Sequence, residues 1–209
     1  MKIHVFIHIC CMNDWKERVS AFLTLFRSSG LYNHVDTIFC GVLGDSNCVS
    51  EILELDAKIS ILHHSSDLTL YEISTINKLL QYVLSASDEK EFYLLYIHTK
   101  GVTKPAHKNV SDWINYMLYF LVEKYETCLE HLKSFECVGV NLQASPQLHY
   151  SGNFWWSKKS FIMNMSPCIH TEYNSPEYWI TSHPSGKYKN LFSSGIDHYH
   201  SEFPPHMYK

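Results

Sequence analysis

Short apolar, β-rich runs alternate with longer helical patterns through the first two-thirds of this 209-residue chain. No other feature narrows its fold as far. Parallel neighbours in a sheet must be joined by a crossover long enough to hold a helix, so the alternation predicts βαβ units and a largely parallel sheet. Strands are expected at residues 3–10, 37–43, 58–63, 92–98 and 137–142, and helices at 15–28, 49–55, 70–85 and 112–132, with Ser111 as N-cap of the last. In that last segment Trp113, Ile114, Met117, Leu118, Leu121, Tyr125, Cys128, Leu129 and Leu132 recur at three- and four-residue spacing, so one face packs on the sheet. The expected fold is one α/β domain over residues 1–209, with a mostly parallel central sheet flanked by helices and a loop-rich C-terminal third.

Composition fits that architecture and excludes several functions. With 45% hydrophobic residues the chain can bury a substantial core without staples. A formal charge of −4 offers no broad basic field for a nucleic-acid backbone, so no nucleic-acid partner is expected. The seven cysteines show neither CxxC spacing nor the density of a secreted disulfide scaffold, which fits a reducing compartment. The start faintly resembles a signal peptide, but His4 and His8 interrupt it and no small-residue cleavage site follows, so it reads as a first strand. No apolar run approaches the roughly 20 residues that span a bilayer. A cytoplasmic protein without a transmembrane segment is expected.

In open α/β sheets ligands sit beyond the carboxyl ends of the strands, which singles out three places. The first is Ile7-His8-Ile9-Cys10-Cys11-Met12-Asn13, where freed backbone groups can read a base or ribose. His8 reads equally well as a satisfied core histidine, and Asn13 or Asp14 as a helix cap. The second is Tyr96-Ile97-His98-Thr99-Lys100-Gly101, a strand ending in three polar residues and a glycine. Lys100 can offer a compact charge to a diphosphate, Thr99 a hydroxyl and Gly101 close backbone approach, although an ordinary turn has the same composition.

The third is Ser151-Gly152-Asn153-Phe154-Trp155-Trp156, followed by Glu177-Tyr178-Trp179-Ile180. Tryptophan faces beside hydrogen-bonding groups suit a sugar ring, and they suit core packing as well. Glu177, between Pro176 and an aromatic run, reads as a general base whose pKa partial burial would raise, or as a carboxylate favoured at a helix N-terminus. Fourteen histidines invite a zinc proposal, but no HExxH or Cys/His spacing supports one. A metal or phosphate contact from His198 or His200 remains open.

On these motifs, with the Trp113 helix and Val138-Gly139-Val140-Asn141, the chain resembles small glycosyltransferases of GT-A fold, including domains that large algal viruses use on capsid protein. The resemblance runs over most of the chain. It implies a nucleotide-diphosphate sugar donor, uridine-linked as is commonest for that fold, and a glycan or glycoprotein acceptor. Residues 1–143 would form the nucleotide-sugar part and 144–209 the acceptor and catalytic part. His8, Cys10, His98, Thr99, Lys100, Gly101 and Asn141 would hold the donor. Ser151, Gly152, Asn153, Trp155, Trp156 and Trp179 would line the sugar and acceptor cleft, with Glu177 as base. A viral origin would place the enzyme in host cytoplasm. GT-A enzymes typically hold Mn²⁺ or Mg²⁺ through Asp-x-Asp, which this chain lacks. Either Lys100 and backbone amides replace the ion, or it is bound through fewer ligands, with His98 or His198 as candidates.

Overall fold

The strand β1 (Lys2–Cys10) shows why the sheet forms: Ile3, Val5, Ile7 and Ile9 point to one face, and His4, Phe6 and His8 to the other. Period two with burial on both faces belongs to a central parallel strand covered by helices on each side. A computed structural model describes residues 2–104, 107–169 and 172–209. In chain order the further elements are α1 (Trp15–Ser28), β2 (Val35–Leu43), α2 (Asn47–Leu53), β3 (Ile59–Ser65), α3 (Tyr71–Ser85), β4 (Phe92–His98), α4 (Lys108–Leu118) and α5 (Tyr125–Leu132). They continue with β5 (Cys137–Gly139), β6 (Leu142–Gln143), β7 (His149–Tyr150), β8 (Trp155–Lys158), α6 (Lys159–Ile162), α7 (Ser175–Trp179) and β9 (Tyr188–Asn190).

Seven strands form one sheet in the order β3-β2-β1-β4-β8-β5-β9. All run parallel except β8, which lies antiparallel between β4 and β5. Helix α1, with Val19, Phe22, Leu23 and Phe26, joins α4 and α5 over one face; α3, with Ile76, Leu79, Leu80 and Val83, covers the other beside Phe161, Ile162 and Trp179. The chain winds from β1 through β2 to β3 on one side, then returns to place β4 on the other side of β1. That reversal opens a crevice at the carboxyl ends of β1 and β4.

The α/β class and the loop-rich last third stand as expected, and α1 and β4 have the expected bounds. Three local expectations change. Ser111 lies inside α4 and its hydroxyl faces the His107 carbonyl, so the helix begins a turn earlier, with extended His107 at its N-cap. The pattern at 112–132 is one apolar stripe but two helices, divided by a π-helical turn at Tyr119–Glu123 in which the Lys124 N–H reaches the Tyr119 carbonyl. The wider turn frees carbonyls, and the Trp156 indole N–H donates to that of Leu121 at 2.8 Å while Cys128 Sγ faces that of Phe120. The run at 137–142 splits because Asn141 adopts φ +50, which turns the chain out of β5 and into the small β6–β7 ribbon.

Candidate functional site

A cavity of about 350 Å³ occupies the crevice at the β1 and β4 ends. His8 and Cys10 come from β1, Leu43 from the end of β2, and His98, Thr99, Lys100 and Gly101 from the end of β4. Glu72 on the first turn of α3 and Glu177 on α7 complete the floor, with Tyr71, Tyr173, Tyr199 and Lys104 around the mouth.

Local contacts explain how the β4 exit keeps this shape. Thr99 Oγ1 accepts the Cys10 N–H at 3.0 Å, tying the two strand ends together. Gly101 takes φ +79, a conformation open to glycine at no steric cost. The α1 side holds the loop through its carbonyls: Arg18 donates to that of Lys100 at 2.8 Å and Asn13 to that of Val102 at 2.6 Å. Asp14 sits at the N-cap of α1 but spends its carboxylate on Arg18, with both contacts at 2.9 Å. Its side chain therefore organises the cavity loop instead of capping the helix.

Ionisable groups meet on the floor. Lys100 Nζ lies 3.9 Å from the centre of the Trp113 ring and 3.9 Å from Glu177 Oε1. His149 Nε2 stands 4.0 Å from Glu177 Oε2. Burial pushes the Glu177 carboxyl above the usual carboxylate range against the pull of Lys100, and burial likewise holds Lys100 below its ordinary value despite Glu177. Desolvation therefore outweighs the attraction of the pair for both partners.

Glu72 is the second acid of the floor, its side chain 17% exposed. Its Oε2 accepts from the Tyr96 hydroxyl at 2.9 Å and from Asn153 Nδ2 at 2.8 Å, and its Oε1 lies 3.5 Å from His98 Nδ1. Burial raises its pKa. Burial, reinforced by Lys100, takes His98 down to about 3. His8 is lowered to about 4, mainly by burial, and shares the Thr75 hydroxyl with His63 at 2.8 and 3.0 Å. Gly41 admits this cluster, since a Cβ there would lie 2.1 Å from Thr75 Oγ1.

The structure thus brings together His8, Cys10, His98, Thr99, Lys100, Gly101 and Glu177. The other residues expected to touch ligand stand behind the cavity wall. Trp155 and Trp156 are fully buried on opposite faces of β8; Trp155 stacks on Tyr96 at 5.0 Å and donates to Asn153 Oδ1. Asn153 has no exposed surface because it bridges Trp155 and Glu72. Trp179 is buried and donates to the Ser166 carbonyl at 2.7 Å. Ser151 gives its N–H to the Asn141 carbonyl. Gly152, at φ +98, contributes only backbone, since a Cβ there would lie 2.5 Å from Met117 Sδ. Asn141 pins the C-terminal segment, with Oδ1 taking the Ser194 N–H at 2.8 Å and Nδ2 facing His198 Nε2 at 3.0 Å.

The same contacts decide how a divalent ion would fit. His98 has Nε2 on the Gly152 carbonyl and Nδ1 on Glu72. His198 is stacked between Trp113 at 5.1 Å and Tyr116 at 5.5 Å, with Nε2 on Asn141 and Ser194, and His200 is exposed and paired with Asp197. Among the described residues no three His, Cys, Asp or Glu side chains converge on one point. These donors do not fit a metal site without abandoning their partners, and no chemical step is routed through an ion below.

Glu72 and the rim tyrosines escape sequence reasoning. An acid in the first turn of an amphipathic helix reads as a dipole-favoured surface residue. Tyr71 opens α3 at φ +44, sparsely populated for a bulky residue, and meets Tyr173 edge-on at 5.5 Å.

Residues 16–174 match the family model described as Domain of unknown function (DUF8361), and the chain belongs to that family. No curated protein matches it. Among solved structures it is similar to HddC from Yersinia pseudotuberculosis, at TM-score 0.50 and 12% identity over 91% of this chain and 90% of that one. A second similar structure is 4-diphosphocytidyl-2C-methyl-D-erythritol synthase from Anaerococcus prevotii, at TM-score 0.49 and 12% identity over 98% and 94%. At 12% identity the likeness to HddC is one of fold. No helix of the described residues is long and apolar enough to cross a membrane.

Proposed function

We propose that the protein is a glycosyltransferase that moves a sugar from a nucleotide-diphosphate donor, uridine-linked, to a hydroxyl of a glycan or protein-linked acceptor. The observation that carries this reading is the Glu177–Lys100 pair, a carboxyl raised by burial and a cation 3.9 Å away, lining one cavity at the sheet's crevice. Nucleotides dock at such a crevice in open α/β folds. The β1 and β2 ends, with Cys10, Met12 and Leu43, and Leu68 beyond β3 make the less polar end for base and ribose, and the turn at Lys100 and Gly101 faces the diphosphate.

In the proposed reaction the acceptor oxygen bonds to the anomeric carbon while the bond from that carbon to the diphosphate oxygen breaks. Glu177, ionised, takes the acceptor's proton, and the nucleoside diphosphate leaves with the electron pair. Lys100, held over Trp113, supplies positive charge where the leaving group gains negative charge. The opposite activity, making nucleotide sugars from a nucleoside triphosphate, would call for a glycine-rich basic loop after the first strand. Here Cys10-Cys11-Met12-Asn13 stands in that place.

The test is nucleoside diphosphate release from a panel of nucleotide sugars, each with Mn²⁺, with Mg²⁺ and with chelator. Release is expected from wild type and not from Glu177→Gln, which should still bind donor. A Glu177→Gln protein with full activity removes the assignment, and donor binding without turnover under any condition makes the protein a nucleotide-sugar-binding module instead.

A further inference from the structure

The contacts of His98 fix where a proton must be. A carbonyl oxygen only accepts, so the 3.0 Å contact to the Gly152 carbonyl requires hydrogen on His98 Nε2. In a neutral imidazole Nδ1 then carries a lone pair, and it faces Glu72 Oε1 at 3.5 Å. Two lone pairs do not attract, whereas one proton on either atom turns the contact into a hydrogen bond. The remaining Glu72 oxygen is already saturated by Tyr96 and Asn153, which leaves Oε1 as the atom that holds or gives up that proton.

Charge at the cavity gives the proton a purpose. The lining carboxylates Glu72 and Glu177 would cancel Lys100 and Lys104, leaving no positive excess for a diphosphate. With one proton on the Glu72–His98 pair the lining is positive. We propose that Glu72 and His98 share a single proton and that nucleoside diphosphate binding is coupled to its retention, the pair supplying charge balance beside Lys100. Glu72 is on this account a positioning and charge-setting residue of the site. The proposal rests on the nucleotide-sugar reading.

The groups that face Glu72 agree with this assignment. From β1 it meets His8, from β4 and its exit Tyr96, His98 and Lys100, from the turn before β8 Asn153; from α7 and the segment before it, Glu177, Cys168 and Tyr173. Burial raises the Glu72 carboxyl and lowers His98, and both directions favour the carboxyl over the imidazole as the proton's seat. Because a folded-state carboxyl pKa is raised, the neutral form persists to higher pH than in an exposed glutamate and is lost as pH rises through the pair's value.

Titration calorimetry with uridine diphosphate, in buffers of different ionisation heat from neutral to alkaline pH, tests the coupling. Wild type should take up a proton on binding in the alkaline range, with Kd rising about tenfold per pH unit, the slope for one linked proton. Glu72→Gln, whose amide donates to His98 Nδ1 as a protonated carboxyl would, should show no uptake and a flat Kd. Nitrogen-15 histidine and carboxyl carbon-13 spectra of wild type should show His98 as the Nε2–H tautomer, titrating in one step with Glu72. Uridine diphosphate bound without proton uptake, an unchanged slope in Glu72→Gln, or an ordinary carboxylate titration for Glu72 overturns the proposal and leaves the transferase reading standing. Failure of every nucleoside diphosphate to bind overturns that reading, and this proposal with it.

Discussion

The end of β4 and the start of β8 lie side by side at the crevice and use their side chains in opposite ways. At the β4 exit His98, Thr99, Lys100 and Gly101 all line the cavity, and the turn is braced from behind by Arg18 and Asn13 on its carbonyls. At the β8 entry Gly152 offers its carbonyl, while Trp155 and Trp156 disappear into the two halves of the core. The aromatic cluster that most resembles a sugar platform is a beam, and the platform's polar work falls to a glycine backbone. An aromatic pair at a strand start alternates across the sheet, so when both faces are covered by helices both rings are buried.

That contrast is open to direct attack, and the largest effect should come from Glu177→Gln. Loss of a general base costs about 10²–10⁴-fold in turnover, and the melting temperature should hold, as thermal scans beside the release assay will show. Second is Trp155→Ala, for which denaturant unfolding should report a loss of about 3–5 kcal/mol, the range for an emptied tryptophan site. An alanine there that keeps stability and loses only activity would make β8 part of the site and break the comparison. Lys100→Met should weaken nucleoside diphosphate binding by about 10- to 150-fold, from the roughly 1.5–3 kcal/mol of a charged hydrogen bond, with stability unharmed because the lysine is desolvated. Smallest is Ser151→Ala, expected within about 0.5 kcal/mol of wild type in stability and unchanged in nucleotide binding.

The pH profile sharpens the same contrast. In the proposed reaction Glu177 acts ionised, and burial raises its pKa, so turnover should fall as pH drops through a value above that of an exposed glutamate. Trp155 carries no titrating group, and a Trp155→Phe protein should keep that profile.

Much of the parallel half was legible in the chain. The alternation in β1, the apolar stripe of α1 and the abrupt polar end of β4 each follow from local chemistry, and the last of these located the cavity. What escaped depends on contacts far apart in sequence. Glu72 is held at the cavity by hydrogen bonds from Tyr96 and Asn153, 24 and 81 residues away. The π-helical turn at Tyr119–Glu123 is matched by Trp156, whose indole caps a carbonyl 35 residues earlier. β8 is four residues long and antiparallel, and its place between β4 and β5 is set by topology instead of by any periodicity in its own run.

Thermal unfolding across a panel of nucleotide sugars tests the central claim most directly. Ligand at about 100 times its Kd adds about 2.7 kcal/mol to the native state, roughly 5–10 °C for a chain of this size. The account predicts such a shift with at least one nucleotide sugar, and a smaller one in Lys100→Met at the same concentration. No shift with any nucleotide sugar, or a full shift in Lys100→Met, would contradict it.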